Sequence, residues 1–275
     1  MQYYWRELRS RMIVCLLTSA IAFSGLADAE PLKLELYTEE FPPLQVQVEG
    51  KPAGYVVDFV KAIVEDAAAS VPVQINKTHF VPWKRAIRAT QMADNVLYFS
   101  ILRTPSREDK YHWIGEISPY SMALYRHTNG PDVAPSNLED IKQYRFGAQS
   151  GSAFEELLIK KGISNIMSVT YGRRSILLLE GKRIDFAPLV SSSYFYRMEQ
   201  YGFDPARFKP VLEIEELSHS LWLVASKRMP EPVVEQLKLS YRKLYDQGLL
   251  SRLIESYQPH SELMLKYRKQ KTASR

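Results

Sequence analysis

The sequence predicts an α/β protein of two lobes, each a mostly parallel sheet flanked by helices, joined by two hinge crossings. Three observations predict it. Short period-two strands alternate with helical patterns, the order that builds parallel sheets with helices on their faces. Two such β-α-β-α-β runs follow one another. Two extended segments separate them, one at Ser118–Arg126 and one at Leu221–Ala225.

The first run opens with Leu32, Leu34 and Leu36 alternating with Lys33 and Glu35, a strand of period two. A turn-rich stretch from Phe41-Pro42-Pro43 to Gly54 follows. Val56, Phe59, Val60, Ile63, Val64 and Ala67 then recur at helical spacing. Val73 and Ile75 begin a strand, residues 83–92 read as a short helix, and Val96 to Ile101 as a buried strand. In the second run, Tyr144 to Ala148 is a strand and 153–161 a helix burying Phe154, Leu157 and Leu158. Strand 166–170 leads to helix 173–180, stopped by Gly181, and Ile184 to Leu189 is the next strand. Helix 232–247 buries Val233, Leu237, Tyr241 and Leu244, and a last helix carries Leu250, Leu253, Ile254 and Tyr257. The expected division is 30–123 with 222–260 for lobe one and 124–221 for lobe two.

The two ends are read apart from the fold. Arg6, Arg9 and Arg11 precede an apolar stretch that closes on Ala27-Asp28-Ala29, the form of a secretory signal cleaved after Ala29. The stretch is shorter than the roughly 20 residues a spanning helix needs. Cys15, the only cysteine, lies inside it, so the mature chain carries no thiol. Residues 261–275 hold Lys266, Arg268, Lys269, Lys271 and Arg275, a solvated basic tail that accounts for most of the net charge of +5. The body lacks a basic stripe, which argues against a nucleic-acid partner. His79, His112, His127, His219 and His260 stand apart and no Cys pair exists, so neither metal nor cofactor is expected. No G-x-S-x-G or phosphate-binding loop occurs. Ser240 and Lys243 match S-x-x-K only inside an amphipathic helix.

Several pieces, in order, resemble the family 3 periplasmic solute-binding proteins over about residues 32–258. They are Phe41-Pro42-Pro43-Leu44 after the first strand and Gly54-Tyr55-Val56-Val57-Asp58 at a helix start. Ser100-Ile101-Leu102-Arg103-Thr104-Pro105-Ser106-Arg107 follows at a strand end. Later come the loop Gly147 to Ser152, then Gly181 to Asp185, and Asp246-Gln247-Gly248. The resemblance implies a two-lobed periplasmic-binding-protein-like (type II) fold. It implies binding of a small anionic or zwitterionic solute such as an amino acid by lobe closure, and delivery to an inner-membrane ABC permease by a monomeric, non-catalytic, periplasmic protein.

The chemistry of these residues points the same way. A guanidinium is a planar fork suited to a carboxylate. Arg107 is expected one turn into a helix capped by Thr104 with Pro105 at its first position, beside the end of strand 96–101, where ligands bind in such sheets. Ser152 and Glu155 have capping-box spacing, and the loop before them offers backbone amides to an anion. The expected ligand residues are therefore Arg107, Thr104 and Ser100 from lobe one and Ser150 and Ser152 from lobe two. The resemblance adds Phe41 as a ring stacked on the ligand, with core packing under the Pro-Pro turn as the alternative; Trp83, at a strand-to-helix loop, could form a second wall or a hydrophobic staple for helix 84–92.

The chain departs from the family where the ligand's ammonium is held. Val190, followed by Ser191-Ser192-Ser193, replaces the expected Asp; Thr38 replaces an acidic residue and Leu102 a hydroxyl. Glu39 or Glu40 could supply the missing charge. Two rival readings are a cyclohexadienyl-dehydratase-like enzyme, with Glu39, Glu40 or Glu116 as general acid, and a sensory module that reports a ligand to a membrane partner.

Overall fold

A computed structural model describes residues 30–257. The signal-like segment, His260 and the basic tail lie outside the described residues. In chain order the elements are β1 (Leu32–Thr38), β2 (Val46–Val48), β3 (Lys51–Ala53), α1 (Tyr55–Ala68), β4 (Val73–Phe80), α2 (Trp83–Met92), β5 (Val96–Leu102), β6 (Tyr111–Pro119) and β7 (Met122–His127). They continue with β8 (Phe146–Gln149), α3 (Ala153–Lys160), β9 (Ile166–Val169), α4 (Arg173–Glu180), β10 (Ala187–Val190), α5 (Tyr194–Tyr201), β11 (Phe208–Glu213), β12 (Ser220–Ser226), α6 (Glu231–Asp246) and α7 (Leu249–Ser256).

Lobe one is built on a sheet of order β4-β1-β5-β12-β6. β4, β1 and β5 are parallel, while β12 runs antiparallel to both β5 and β6. Lobe two carries the antiparallel set β10-β7-β11 and the parallel pair β8-β9, tied by one parallel bridge from Phe146 to Phe186. The sheets are thus more mixed than the β-α-β pattern predicts. The strands that enter and leave lobe two, β7 and β12, lack the helical crossover that sets parallel direction, so each meets its neighbours head to tail.

The crossings lie side by side. β6 ends at Pro119 and β7 begins at Met122; β11 ends at Glu213 and β12 begins at Ser220. Tyr120 N donates to His219 O at 2.8 Å and Met122 N to Ser218 Oγ at 3.0 Å. The expected extended segment 118–126 is therefore two strands broken at 120–121, where the chain changes sheets.

α1 forms where the periodicity predicts, with Val56, Phe59, Val60, Ile63 and Ala67 fully buried. Each such side chain contributes roughly 1.5–3 kcal/mol on leaving water, Ala67 less. The core is continuous from Leu34, Phe59 and Phe99 through Phe146, Phe154 and Phe186. A smaller core of Ile176, Leu179, Tyr194, Met198 and Tyr201 lies beneath α4 and α5.

Strand edges shift where packing overrides pattern. The strands expected at 144–148 and 184–189 are β8 and β10, displaced toward the C-terminus; Phe186 pairs with β8 through a single bridge and stays outside the β10–β7 ladder. The sequence pattern predicts neither β2, β3, β11 nor α5. β2 and β3 are too short to show a period. β11 holds Pro210 at a sheet edge, with a register shift beside it. α5 is aromatic-rich, a strand-like composition, and ends at Gly202 in the left-handed conformation.

Gly54, before α1, has φ +117, and a Cβ there would lie 2.3 Å from the Leu44 carbonyl oxygen. Both facts demand glycine. Gly54→Ala is expected to lower the unfolding free energy by at least about 2 kcal/mol in urea titration; an unchanged midpoint would contradict this packing.

Candidate functional site

The ends of the parallel strands converge on one gap. Glu39 and Phe41 follow β1, Trp83 follows β4, Arg107 follows β5, Gln149 ends β8, Arg173 follows β9 and Arg197 lies beyond β10. Open α/β sheets place ligands at such carboxyl ends. A cavity of about 860 Å³ fills this gap and is walled by all seven residues.

On the lobe-one side, Phe41 packs edge-on to Tyr120 with ring centroids 6.3 Å apart. The guanidinium of Arg197, from α5 of lobe two, sits 4.1 Å from the Phe41 centroid. Such a cation–π contact is worth about 0.5–2 kcal/mol. Ser100 and Gln45, both almost fully buried, are joined by a 2.9 Å hydrogen bond from Ser100 Oγ to Gln45 Oε1. Ser100 has φ +68, a strained backbone for a residue with a side chain, placed at the cavity wall.

Glu39 is the most perturbed acid among the described residues. Burial pushes its carboxyl up to about 7. Hydrogen bonds from Trp83 N (2.9 Å) and Gln149 Nε2 (2.6 Å), a backbone N–H of Gly172 and the charge of Arg197 oppose that rise without cancelling it. Three of these four groups belong to lobe two, so Glu39 ties the lobes together inside the cavity.

Arg107 is 3 % exposed. Its Nη1 donates to Leu102 O at 3.4 Å, and its Nη2 to Gly151 O at 3.1 Å and to Glu156 Oε1 at 2.8 Å. The arginine therefore reaches from lobe one to lobe two, and a carboxylate of the protein itself compensates its charge. Its helix is a short 3-10 turn, Pro105–Lys110, and Thr104 does not cap it. Thr104 Oγ1 pairs with Ser106 Oγ instead, because a tight turn brings the two hydroxyls together.

The loop before α3 also differs from expectation. Its amides are not free: Gly147 N donates to Phe186 O, Ser150 N to Val169 O and Ser152 N to Gln149 O. Gly151 N donates to Glu155 Oε2 at 2.6 Å. Ser152 Oγ does accept from Glu155 N at 3.1 Å, so it caps α3 as its spacing predicts. The Glu155 carboxylate reaches one residue beyond the capping-box position and fills the anion seat of this turn. Gly151 has φ +74, with Lys84 of lobe one 3.2 Å from the place of a Cβ.

Of the sequence-predicted residues, Phe41, Trp83, Ser100, Arg107 and Ser152 line the cavity, and Thr104 and Ser150 do not. Val190 lines it where the resembled family carries an acid; Glu39 and Glu40 line it, and exposed Glu116 does not. Sequence reasoning missed Gln45, Tyr120, Arg173, Arg197 and Tyr201. None belongs to a motif, although Arg197 in Tyr194-Phe195-Tyr196-Arg197 has the cation-beside-aromatic composition of a binding wall. The Asp185 of the Gly181–Asp185 piece is structural: it accepts from Arg145 N at 2.9 Å and Arg145 Nη2 at 2.7 Å, which holds its carboxyl below the usual range. Among the described residues no cluster has the makings of a metal site, and no helix is long and apolar enough to cross a membrane.

No family model matches the chain, and no curated protein matches it in sequence. Solved structures match in shape. A histidine kinase sensor domain with similarity to periplasmic binding proteins superposes with a TM-score of 0.71 at 15 % identity, over 84 % of this chain and 97 % of that one. An ancestral arginine-binding protein bound to arginine gives 0.69 at 18 %, over 84 % and 100 %. An amino-acid ABC transporter substrate-binding protein from Streptococcus pneumoniae, bound to L-arginine, gives 0.67 at 18 %, over 86 % and 96 %. The chain has the periplasmic-binding-protein-like fold, the one shared by substrate-binding proteins of amino-acid ABC transporters.

The Glu39 environment sets a pH dependence. A carboxyl raised in the folded state keeps a proton that the unfolded chain releases, so its contribution is full below about 4.5 and is lost as pH rises to about 7. Relative to wild type, Glu39→Gln is expected to gain up to about 3 kcal/mol of stability between pH 4.5 and 7.5. Urea unfolding at both pH values measures it; a difference that does not change with pH contradicts the assignment.

Proposed function

We propose that this protein captures a small carboxylate-bearing solute between its lobes, closes over it, and delivers it in the periplasm to an ABC permease. The observation that carries this reading is the convergence of cross-lobe polar contacts on one cavity. Arg107 meets Gly151 and Glu156, Glu39 meets Gln149, and Arg197 meets Phe41. Each lobe holds half of every contact, so a solute seated among them strengthens the closed arrangement over the open one. Arg107 uses three of its five N–H donors within the protein and lines the cavity, which leaves two donors for a solute. Phe41, Trp83, Ser100 and Ser152 complete the contact surface. The side-by-side crossings at 119–122 and 213–220 act as the hinge, with lobe one at 30–123 and 222–260 and lobe two at 124–221.

A second reading is favoured by the likeness to a kinase sensor domain: the same capture, reported to a membrane partner instead of a permease. It shares the site and differs only in the outer surface. A dehydratase-like activity needs a proton donor in the cleft, and Glu39, near 7, has the right poise. Turnover of prephenate or arogenate, followed by absorbance, would establish that activity; binding without turnover dismisses it.

Two measurements test the capture. In a thermal-shift panel of amino acids, organic acids and short peptides, at least one compound is expected to raise the melting temperature, and saturation with it to reduce the radius of gyration by small-angle scattering. An unchanged radius contradicts closure. Arg107→Ala is expected to weaken that compound's affinity at least tenfold, about 1.4 kcal/mol, while the melting temperature of the free protein moves by only a few degrees, because the shorter of its lost contacts, to Gly151 and Glu156, join the lobes. Unchanged affinity removes Arg107 from the site.

A further inference from the structure

The cavity wall is rich in uncompensated positive charge. Five arginines line it, Arg107, Arg173, Arg174, Arg183 and Arg197, against two glutamates, Glu39 and Glu40. Burial holds Glu39 near 7, so near neutral pH it offers only part of a negative charge. Arg107 is neutralised by Glu156. Among the described residues, none of Arg173, Arg174, Arg183 and Arg197 has a carboxylate within ion-pair distance.

Two of these arginines converge. The guanidinium carbons of Arg173, at the start of α4, and Arg197, on α5, lie 5.2 Å and 5.4 Å from the centroid of the Tyr201 ring. Arg197 Nη2 donates to Tyr201 Oη at 3.1 Å, which orients it. The Nε of each arginine is buried with no hydrogen-bond partner among the described residues. Neither guanidinium is balanced by a carboxylate, so the pair around the Tyr201 ring favours an acidic group beside it. Apolar Ile176, Leu189 and Met198 line the cavity beside them, and suit a hydrocarbon spacer better than a second charge.

From this we infer that Arg173 and Arg197 form an anion subsite, and that the captured solute is an organic dianion: one carboxylate toward Arg107, a short apolar spacer, and a second acidic group between Arg173 and Arg197. Arg197 makes the cavity selective against cations. Its own guanidinium occupies the face of Phe41, where a cationic ligand group would otherwise stack. Val190 supplies no charge for an ammonium group. The inference rests on the capture reading above and specifies its substrate class.

Isothermal titration of the full chain tests it with succinate, glutarate and adipate, their monomethyl esters, L-glutamine and L-arginine, in wild type, Arg173→Gln, Arg197→Gln and Arg197→Lys. Circular dichroism and melting temperature confirm folding of each variant. At least one dicarboxylate is expected to bind, and its ester at least tenfold more weakly. Each Gln variant is expected to lose at least tenfold for the diacid and to leave the ester unchanged, and Arg197→Lys to keep part of the affinity. Equal binding of diacid and ester, or a diacid affinity indifferent to both Gln variants, overturns the subsite. If L-arginine or L-glutamine binds and compacts the protein while every diacid fails, the dianion inference falls and the capture reading stands. If nothing in the panel binds or compacts the protein, both fall.

Discussion

Strand direction is the constraint on which the site depends. β1, β4 and β5 in one lobe and β8, β9 and β10 in the other all run toward the same gap, so the loops that follow them face one another. Reversing any one of them would carry its functional residue to the far edge of its sheet. The helices α1 and α2, which connect β1, β4 and β5, carry the chain back to the start of the sheet each time and so set those strands parallel, while Leu34, Leu36, Leu97 and Phe99 are buried in the core. The core is thus what positions Glu39, Arg107 and Arg197, and its Ile176, Leu189 and Met198 also form part of the cavity wall.

Within the gap, electrostatics decides what the cavity can hold. Two carboxylates that sequence reasoning could count as available are already committed: Glu156 to Arg107, and Glu155 to the Gly151 amide. Of the two glutamates on the cavity wall, Glu39 has its carboxyl pushed up to about 7 by burial, and Glu40 stands against five arginines. What remains is cationic and, at Arg173 and Arg197, has no carboxylate within ion-pair distance among the described residues and leaves each Nε unpaired. A cavity in that condition favours an anion on entry, and low dielectric strengthens the attraction once water leaves. The Glu156–Arg107 pair crosses from lobe to lobe, as does the Glu39–Gln149 contact, so both also help hold the lobes together.

Much of the fold was legible because it rests on periodicity. α1, α2, α4 and β5 stand where their apolar spacing places them, and Gly54 stands where a turn needs a positive φ. The short strands β2 and β3, and the aromatic helix α5, carry no such signal. Of the site, the residues inside motifs were visible: Phe41, Ser100, Arg107 and Ser152 all reach the cavity wall. Arg173 and Arg197 were not, because their importance comes from the carboxylate each lacks, and a missing counter-charge is a property of three-dimensional packing. The same limit explains the loop at Gly147 to Ser152. Its glycines and serines read as an anion-binding turn, yet Glu155, four residues on from Gly151, folds back to satisfy it.

The central claim is that one solute is held by both lobes at once. Hydrogen–deuterium exchange of the full chain, with and without the compound that most stabilises it, addresses this directly. The account expects protection to appear together at residues 39–45 of lobe one and at 149–153 and 172–174 of lobe two, at a single ligand concentration. Protection confined to one lobe, or spread evenly over the molecule, would contradict it.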